Sequence, residues 1–272
     1  MTTEKIALSG VQETMLATLY GKAMESRSAD PVLVDEQAEQ AVDRIEYDFS
    51  RLKVTRNTAV SAAVRSRYLD DWARSALAEL PDATVLHLGC GLDSRVYRLD
   101  PPPTVRWYDV DYPDVVALRR RLYPERPGYH LIASSVTDPG WLAEVPDDRF
   151  GVVIAEGLTM YLTREETGDL FERLTYHLPG GVLMFDAWNS LGMRAGARQG
   201  VIKASGAKLG GWGIDHPHDV ELLAPGLTFV AEQTFFDIPE LGRYGWPVRL
   251  ACRTMNRIPA MRNMGRLLRY RF

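Results

Sequence analysis

Apolar positions in this chain change their spacing near residue 82. Upstream, from Val11 to Pro81, they recur at helical intervals. The clearest case is Asn57 to Leu80, where Val60, Val64, Tyr68, Trp72, Ala76 and Leu77 share one face. Downstream, short apolar runs at Thr84–Leu88, Val105–Val110, Tyr129–Ala133, Gly151–Ala155 and Val182–Asp186 alternate with helical patterns. Runs of that length between turn residues predict buried strands, and strands alternating with helices predict a parallel, doubly wound α/β sheet. Thr163 and Glu166 form a capping-box pattern that opens a helix with Leu170, Leu174 and Leu178 on its buried stripe; Pro179–Gly181 ends it. From Asn189 to Gly213 seven glycines break the periodicity, which predicts an insertion between the fifth and sixth strands, reaching to about residue 216. Leu227–Phe236 and Gly265–Phe272 complete a seven-stranded, mostly parallel sheet ending in a reversed strand pair.

One junction carries chemistry. In VLHLGCGLDSR (Val85–Arg95) an apolar run stops at Gly89 and Gly91 and a polar helix start follows. Glycines let the turn adopt left-handed dihedrals and let a ligand approach the backbone, and the helix amides beyond favour hydrogen-bond acceptors. A dinucleotide site prefers a third glycine where this chain has Ser94, which argues against a pyrophosphate. About 20 residues after Gly89, WYDVDYP places Asp109 and Asp111 at the end of the second strand, where a carboxylate accepts both ribose hydroxyls of a nucleoside. A nucleoside without pyrophosphate is best matched by S-adenosylmethionine.

Composition narrows the rest. The 272 residues are 46% hydrophobic and 25% charged with net charge −4, as in a globular protein that buries a core and is no obvious nucleic-acid binder. Eight arginines and no acids lie between Leu241 and Phe272, a solvated face or a contact for an anionic partner. Cys90 and Cys252 have no paired metal or redox spacing, and Cys90, between two glycines, reads as packing. No metal site is expected. MTTEKIALSG lacks the layout of a signal peptide, and no apolar run is long enough for a bilayer, so a cytoplasmic protein is expected.

With these segments in place, the sequence resembles the leucine carboxyl methyltransferase family, in particular its bacterial branch of polyketide carboxyl O-methyltransferases. The resemblance is carried by GVQETMLATLYGKAMES, RSRYLDD (Arg65–Asp71), LGCGLDSRVYRL, WYDVDYP and IAEGLTMYL (Ile154–Leu162), which span about two-thirds of the chain. It implies a class I methyltransferase fold, Rossmann-like, with residues 1–81 as an N-terminal helical lid and 82–272 as the S-adenosylmethionine-binding core. It also implies roles. Gly89, Cys90, Gly91 and Asp93 would form the turn beside the methionine moiety. Asp111 would hold the ribose, with Asp109 beside it. Ser135 and Val136 would face the adenine, with Asp138 or a backbone carbonyl taking the amino group because Ser135 replaces the usual acid. Glu156 would end the fourth strand in the pocket, and Arg67 would meet the cofactor's carboxylate, with Arg65 or Lys53 as substitutes.

Each assignment has a plainer rival: Arg67 as a surface cation, Asp111 as a strand-end acid, Tyr161 as a core aromatic. For the acceptor pocket, Tyr20, Trp188, Asn189 and Trp212 are the candidates, beneath a mobile glycine-rich cover. Methyl transfer needs alignment of acceptor, methyl and sulfur. A carboxylate is already ionised at neutral pH and needs no base, whereas a phenol benefits from one. Tyr161 and His216, the latter beside Asp215, are the candidate catalytic groups. A small-molecule carboxylate acceptor is therefore the leading expectation and a phenol the next. Other possibilities are a cofactor-binding cyclase or pericyclase without transfer, a peptide-terminus methyltransferase and a nicotinamide oxidoreductase.

Overall fold

Short stretches of Val, Ile and Leu on both faces give this chain the strands of a sheet covered by helices on either side. The structure, a computed structural model, describes residues 4–5, 11–198, 202, 207–236 and 238–272. Two-residue strands β1 (Glu4–Lys5) and β2 (Ile45–Glu46) pair separately. The main sheet holds β3 (Thr84–Leu88), β4 (Arg106–Asp111), β5 (Tyr129–Ala133), β6 (Gly151–Ala155), β7 (Gly181–Trp188), β8 (Thr228–Thr234) and β9 (Gly265–Arg271). Their order is β5-β4-β3-β6-β7-β9-β8, parallel except for β9, which runs against both neighbours. This is the doubly wound sheet expected from the spacing, with the reversed strand pair at one edge.

The expected strands lie where the apolar runs are. β4 runs one residue further than its run, because Asp111 still pairs with Ala133. The order reverses beside β3, and the carboxyl ends of β3, β4 and β6 open into a crevice there, the place where ligands of open α/β sheets collect.

Three helices precede the sheet: α1 (Val11–Ser26), α2 (Glu36–Arg44) and α3 (Arg56–Glu79). The first half of α3 carries Val60 and Val64 into a small cluster with Ile238. Its second half carries Leu69, Ala73 and Ala76 into the core under β3, β6 and β7. The core helices are α4 (Arg95–Leu99), α5 (Pro113–Leu122) and α6 (Arg164–His177), the last opened by the complete Thr163–Glu166 capping box.

Between β7 and β8 lie α7 (Ser190–Gly196) and α8 (His218–Leu223). Residues 199–201 and 203–206 of the expected insertion lie outside the described residues. A second excursion, unforeseen from sequence, joins β8 to β9. It comprises a 3-10 turn (Pro239–Arg243), α9 (Trp246–Asn256) and α10 (Pro259–Arg262). The arginine-rich segment divides accordingly. Arg266 is buried, binding Glu232 at 3.0 Å and the carbonyls of Ile214 and Asp215, while Arg249, Arg253 and Arg257 are exposed on the excursion.

Candidate functional site

A cavity of about 990 Å³ occupies the crevice, walled by α1, α3, the sheet's carboxyl edge and both excursions. Its floor is the glycine turn. Gly89 and Gly91 have φ of +58° and +51°, which side chains resist. A Cβ on Gly91 would lie 3.1 Å from Met15 of α1 and one on Gly89 3.0 Å from Leu158, so the turn, the helix above it and the loop beyond β6 close on one another. Cys90 between them is buried, and burial pushes its thiol well above the ordinary range, as a packing residue requires.

Asp111 ends β4 beside this turn. Its carboxylate accepts the Gly91 amide at 2.6 Å and the Tyr112 amide at 2.8 Å and lines the cavity, leaving acceptor capacity for a ribose diol. Burial raises its pKa against those two hydrogen bonds. Asp109, two residues back, does not reach the cavity. It pairs with Arg119 and accepts from Trp107 Nε1 at 2.8 Å and Tyr129 at 2.6 Å, and Arg119 in turn donates to the carbonyls of Gly91 and Asp93, each at 2.8 Å. Asp109 thus braces the turn from beneath rather than holding the ribose.

The opposite corner is densely charged. Glu156, at the tip of β6, accepts Ser66 Oγ at 2.8 Å and Arg65 Nε at 3.1 Å, pairs with Arg95, and lies 3.5 Å from Lys22 Nζ. Asp93 lies 3.1 Å from Lys22 and 2.7 Å from Arg98, and its buried Oδ2 accepts no aligned hydrogen bond. Burial pushes both carboxyls up, but the cations around them prevail and hold both well below the usual range. Arg65 also reaches Asp186 at 3.1 Å, and Gly157 donates its amide to Asp186 at 2.6 Å. A zwitterionic amino acid finds both signs here: cations of Lys22 and Arg65 for its carboxylate, and the Asp93 and Glu156 carboxylates for its ammonium. With Asp111 also offering a carboxylate to the cavity, the residues present fit S-adenosylmethionine.

The remaining volume has a mixed lining, with Lys53, Thr55, Thr58 and Lys208 contributing polar groups beside apolar ones. Trp188, Phe235, Ile238, Leu241, Val248 and Cys252 line it, with Ser61 and Tyr244 facing each other at 2.9 Å. His87 is the only histidine in the wall among the described residues. Arg95 can only donate, so His87 Nε2 accepts from it at 3.1 Å, and the proton on Nδ1 goes to Asp109 at 3.1 Å. Tyr161 lines the cavity 3.4 Å from Thr14 Oγ1, and burial raises its hydroxyl pKa, which leaves it a neutral donor at physiological pH.

Gly89, Cys90, Gly91, Asp93, Asp111, Ser135, Val136, Glu156, Tyr161 and Trp188 therefore meet around one space. Several expected residues lie elsewhere. Arg67 turns outward, bound to Glu240 at 2.6 Å and stacked over Tyr68, because the 100° step per helical residue gives the inward face to Arg65 and Ser66. Tyr20 stacks on Phe49 at 4.8 Å within the helical segment. Asn189 caps α7 and donates to the Ala260 carbonyl at 2.8 Å. Trp212 packs behind the wall against the core. His216 is exposed outside the cavity, and Asp215 beside it is occupied with Ser190 at 2.7 Å. Asp138 caps the 3-10 turn at Pro139–Glu144, so beyond β5 the cavity is lined by Ser134–Thr137 instead.

Lys22, Ser66, Arg95 and Asp186 were missed. Lys22 had a legible signal: it lies on the cavity face of α1 with Met15 and Thr18, at spacings of seven and four. Tyr244 had none, since its excursion carries no periodic pattern that points to a cavity.

The sequence profile of the leucine carboxyl methyltransferase family matches residues 15–175. The chain is 45% identical, over 99% of its length and 99% of the relative's, to the tetracenomycin polyketide synthesis O-methyltransferase TcmP of Streptomyces glaucescens. It is 37% identical to the S-adenosyl-L-methionine-dependent methyltransferase dpfgK of Gibberella zeae, over 89% of this chain and 88% of that one. A solved S-adenosylmethionine-dependent methyltransferase of Mesorhizobium loti superposes with a TM-score of 0.51 at 16% identity, over 75% of this chain and 98% of that one, and shows the same class I fold.

Proposed function

The chain belongs to the leucine carboxyl methyltransferase family, and from that premise we propose that it methylates a carboxylate on a polyketide-like secondary metabolite. It is an S-adenosylmethionine-dependent O-methyltransferase. The choice of a carboxylate rests on one observation: the cavity offers donors and cations but no side chain placed to take a proton from the acceptor. His87 is held on both nitrogens, Tyr161 keeps its proton, Asp93 and Glu156 are locked among cations, Asp111 accepts two backbone amides, and Glu166 accepts the Thr163 amide in its capping box. An acceptor that arrives ionised needs only alignment.

Bound at the glycine turn, S-adenosylmethionine supplies a sulfonium-activated methyl group. Asp111 orients the ribose, Lys22 and Arg65 hold the methionine carboxylate, and Met15 of α1 closes over the turn to exclude water. Tyr161 lines the cavity with its proton directed to Thr14 Oγ1, which leaves its own oxygen as a hydrogen-bond acceptor beside the acceptor volume. No helix among the described residues is long and apolar enough to cross a membrane. We place the reaction in the cytoplasm, where the two free thiols, Cys90 and Cys252, stay reduced.

The test uses labelled S-adenosylmethionine with a set of aromatic carboxylic acids and phenols, followed by mild alkali. A methyl ester releases labelled methanol and an aryl ether does not. Label retained through alkali would assign the transfer to a phenol and sink the carboxylate reading.

A further inference from the structure

We propose that Asn57, Ser61 and Tyr244 select the acceptor by reading an oxygen substituent remote from the group that is methylated. This deepens the reading above and rests on it.

Asn57, Ser61 and Arg65 recur at every fourth residue of α3 and all three line the cavity. Four residues rise about 6 Å along a helix, so the three form a polar row on one face. Arg65 anchors the cofactor end through Glu156 and Asp186. Ser61 lies one turn away from it and Asn57 two.

The hydrogen bonds fix what the row offers. Ser61 has a single proton and donates it to the Asn57 carbonyl at 2.9 Å. The Tyr244 hydroxyl, 2.9 Å from Ser61 Oγ, is therefore the donor of that pair, and its own oxygen keeps its lone pairs for a ligand. The Asn57 side-chain amide engages no described residue and faces the cavity with both a donor and an acceptor. The excursion adds apolar side chains to the same cavity, among them Phe235, Ile238, Leu241 and Val248. A cavity with these apolar side chains and one polar row fits a flat, oxygenated ring system. The rings pack on the excursion, and a hydroxyl far from the carboxylate donates to Tyr244 or bonds to Asn57. A site built for such a hydroxyl rejects analogues that lack it, because its own polar groups then go unserved.

The test compares 2-naphthoic acid with 6-hydroxy-2-naphthoic acid as methyl acceptors, in the wild type and in N57A, S61A and Y244F. The expected wild-type preference for the hydroxylated acid is about tenfold in kcat/KM, the size of one net hydrogen bond. Y244F and N57A reduce it to within about twofold through KM rather than kcat. S-adenosylmethionine affinity and thermal midpoint stay unchanged, which a merely structural role for these side chains would not allow. If neither acid is turned over, both are titrated calorimetrically into enzyme loaded with S-adenosylhomocysteine. A hydroxyl preference in binding that Y244F abolishes supports the row while sinking the carboxylate acceptor. A wild type that treats the two acids alike in turnover and binding overturns the proposal, as does a preference that survives all three substitutions.

Discussion

At the cofactor end of the cavity Lys22, Arg65, Arg95, Asp93 and Glu156 answer one another within one buried cluster. At the acceptor end two hydroxyls and an amide stand beside apolar side chains of the excursion. The cofactor end is assembled from α1, α3, α4 and the tip of β6, all packed on the sheet. The acceptor end borrows its far wall from a segment that leaves the sheet and returns. The contrast teaches where a substitution is felt: in the buried cluster it strands a charge, and in the open wall it alters only what fits.

The sharpest way to break this contrast is Glu156→Ala, which leaves Lys22, Arg65 and Arg95 facing a gap. Removing one partner of a buried ion cluster costs about 3–5 kcal/mol. Urea unfolding is expected to show that loss, whereas Ser61→Ala stays within about 0.5 kcal/mol, as exposed substitutions do. Equal losses in the two variants would erase the distinction.

Acid sharpens it further. Glu156 and Asp93 sit well below the usual carboxylate range when folded, so the stability they contribute is complete above that range and is lost progressively as pH falls below it toward their folded values. Glu156→Gln is expected to flatten the dependence of the urea midpoint on pH in that window. Asp111 shifts the opposite way: burial raises its pKa, so it takes up its proton earlier on acidification. Calorimetry is therefore expected to show cofactor affinity declining at a higher pH than fold stability does.

Asp111→Ala comes next in size. Losing two hydrogen bonds to a charged acceptor removes about 3 kcal/mol of cofactor binding, on the order of 100-fold in Kd, and calorimetric titration with S-adenosylmethionine measures it. Trp188→Phe is expected to raise the acceptor KM several-fold and leave cofactor affinity unchanged, as steady-state kinetics in both substrates will show. The smallest effect is expected for His216→Ala, with kcat/KM within about twofold of wild type. A large loss there would mean that the exposed loop swings in to act as a base.

Most of the sheet was legible because its strands are buried on both faces, and a continuous apolar run between glycines and prolines has few other readings. The glycine turn and Asp111 were legible for a related reason: a ligand approaching the backbone demands residue types that can be seen one at a time. Arg67 was misplaced because sequence spacing does not say which arginine of RSRYLDD faces inward; the packing of α3 on the sheet decides that. Asp109 and Asn189 share a different cause. Both do structural work, bracing a turn and capping a helix, with the same atoms that would have bound a ligand. The far wall stayed hidden because residues 239–262 form short elements in which Leu241, Val248 and Cys252 face a cavity instead of a periodic core, while Trp246 and Leu250 are exposed.

That irregular excursion departs from the sheet and returns at a single place, since Thr234 and Arg266 stand opposite each other across the β8–β9 hairpin. Its ends are thus pinned together by backbone pairing, and the entropy of closing a loop grows only slowly with its length. The segment is consequently a graftable cassette. Exchanging it with the corresponding stretch of a relative would transplant acceptor preference while leaving the methyl donor's seat untouched, a route for such enzymes to diversify their products without relearning how to fold.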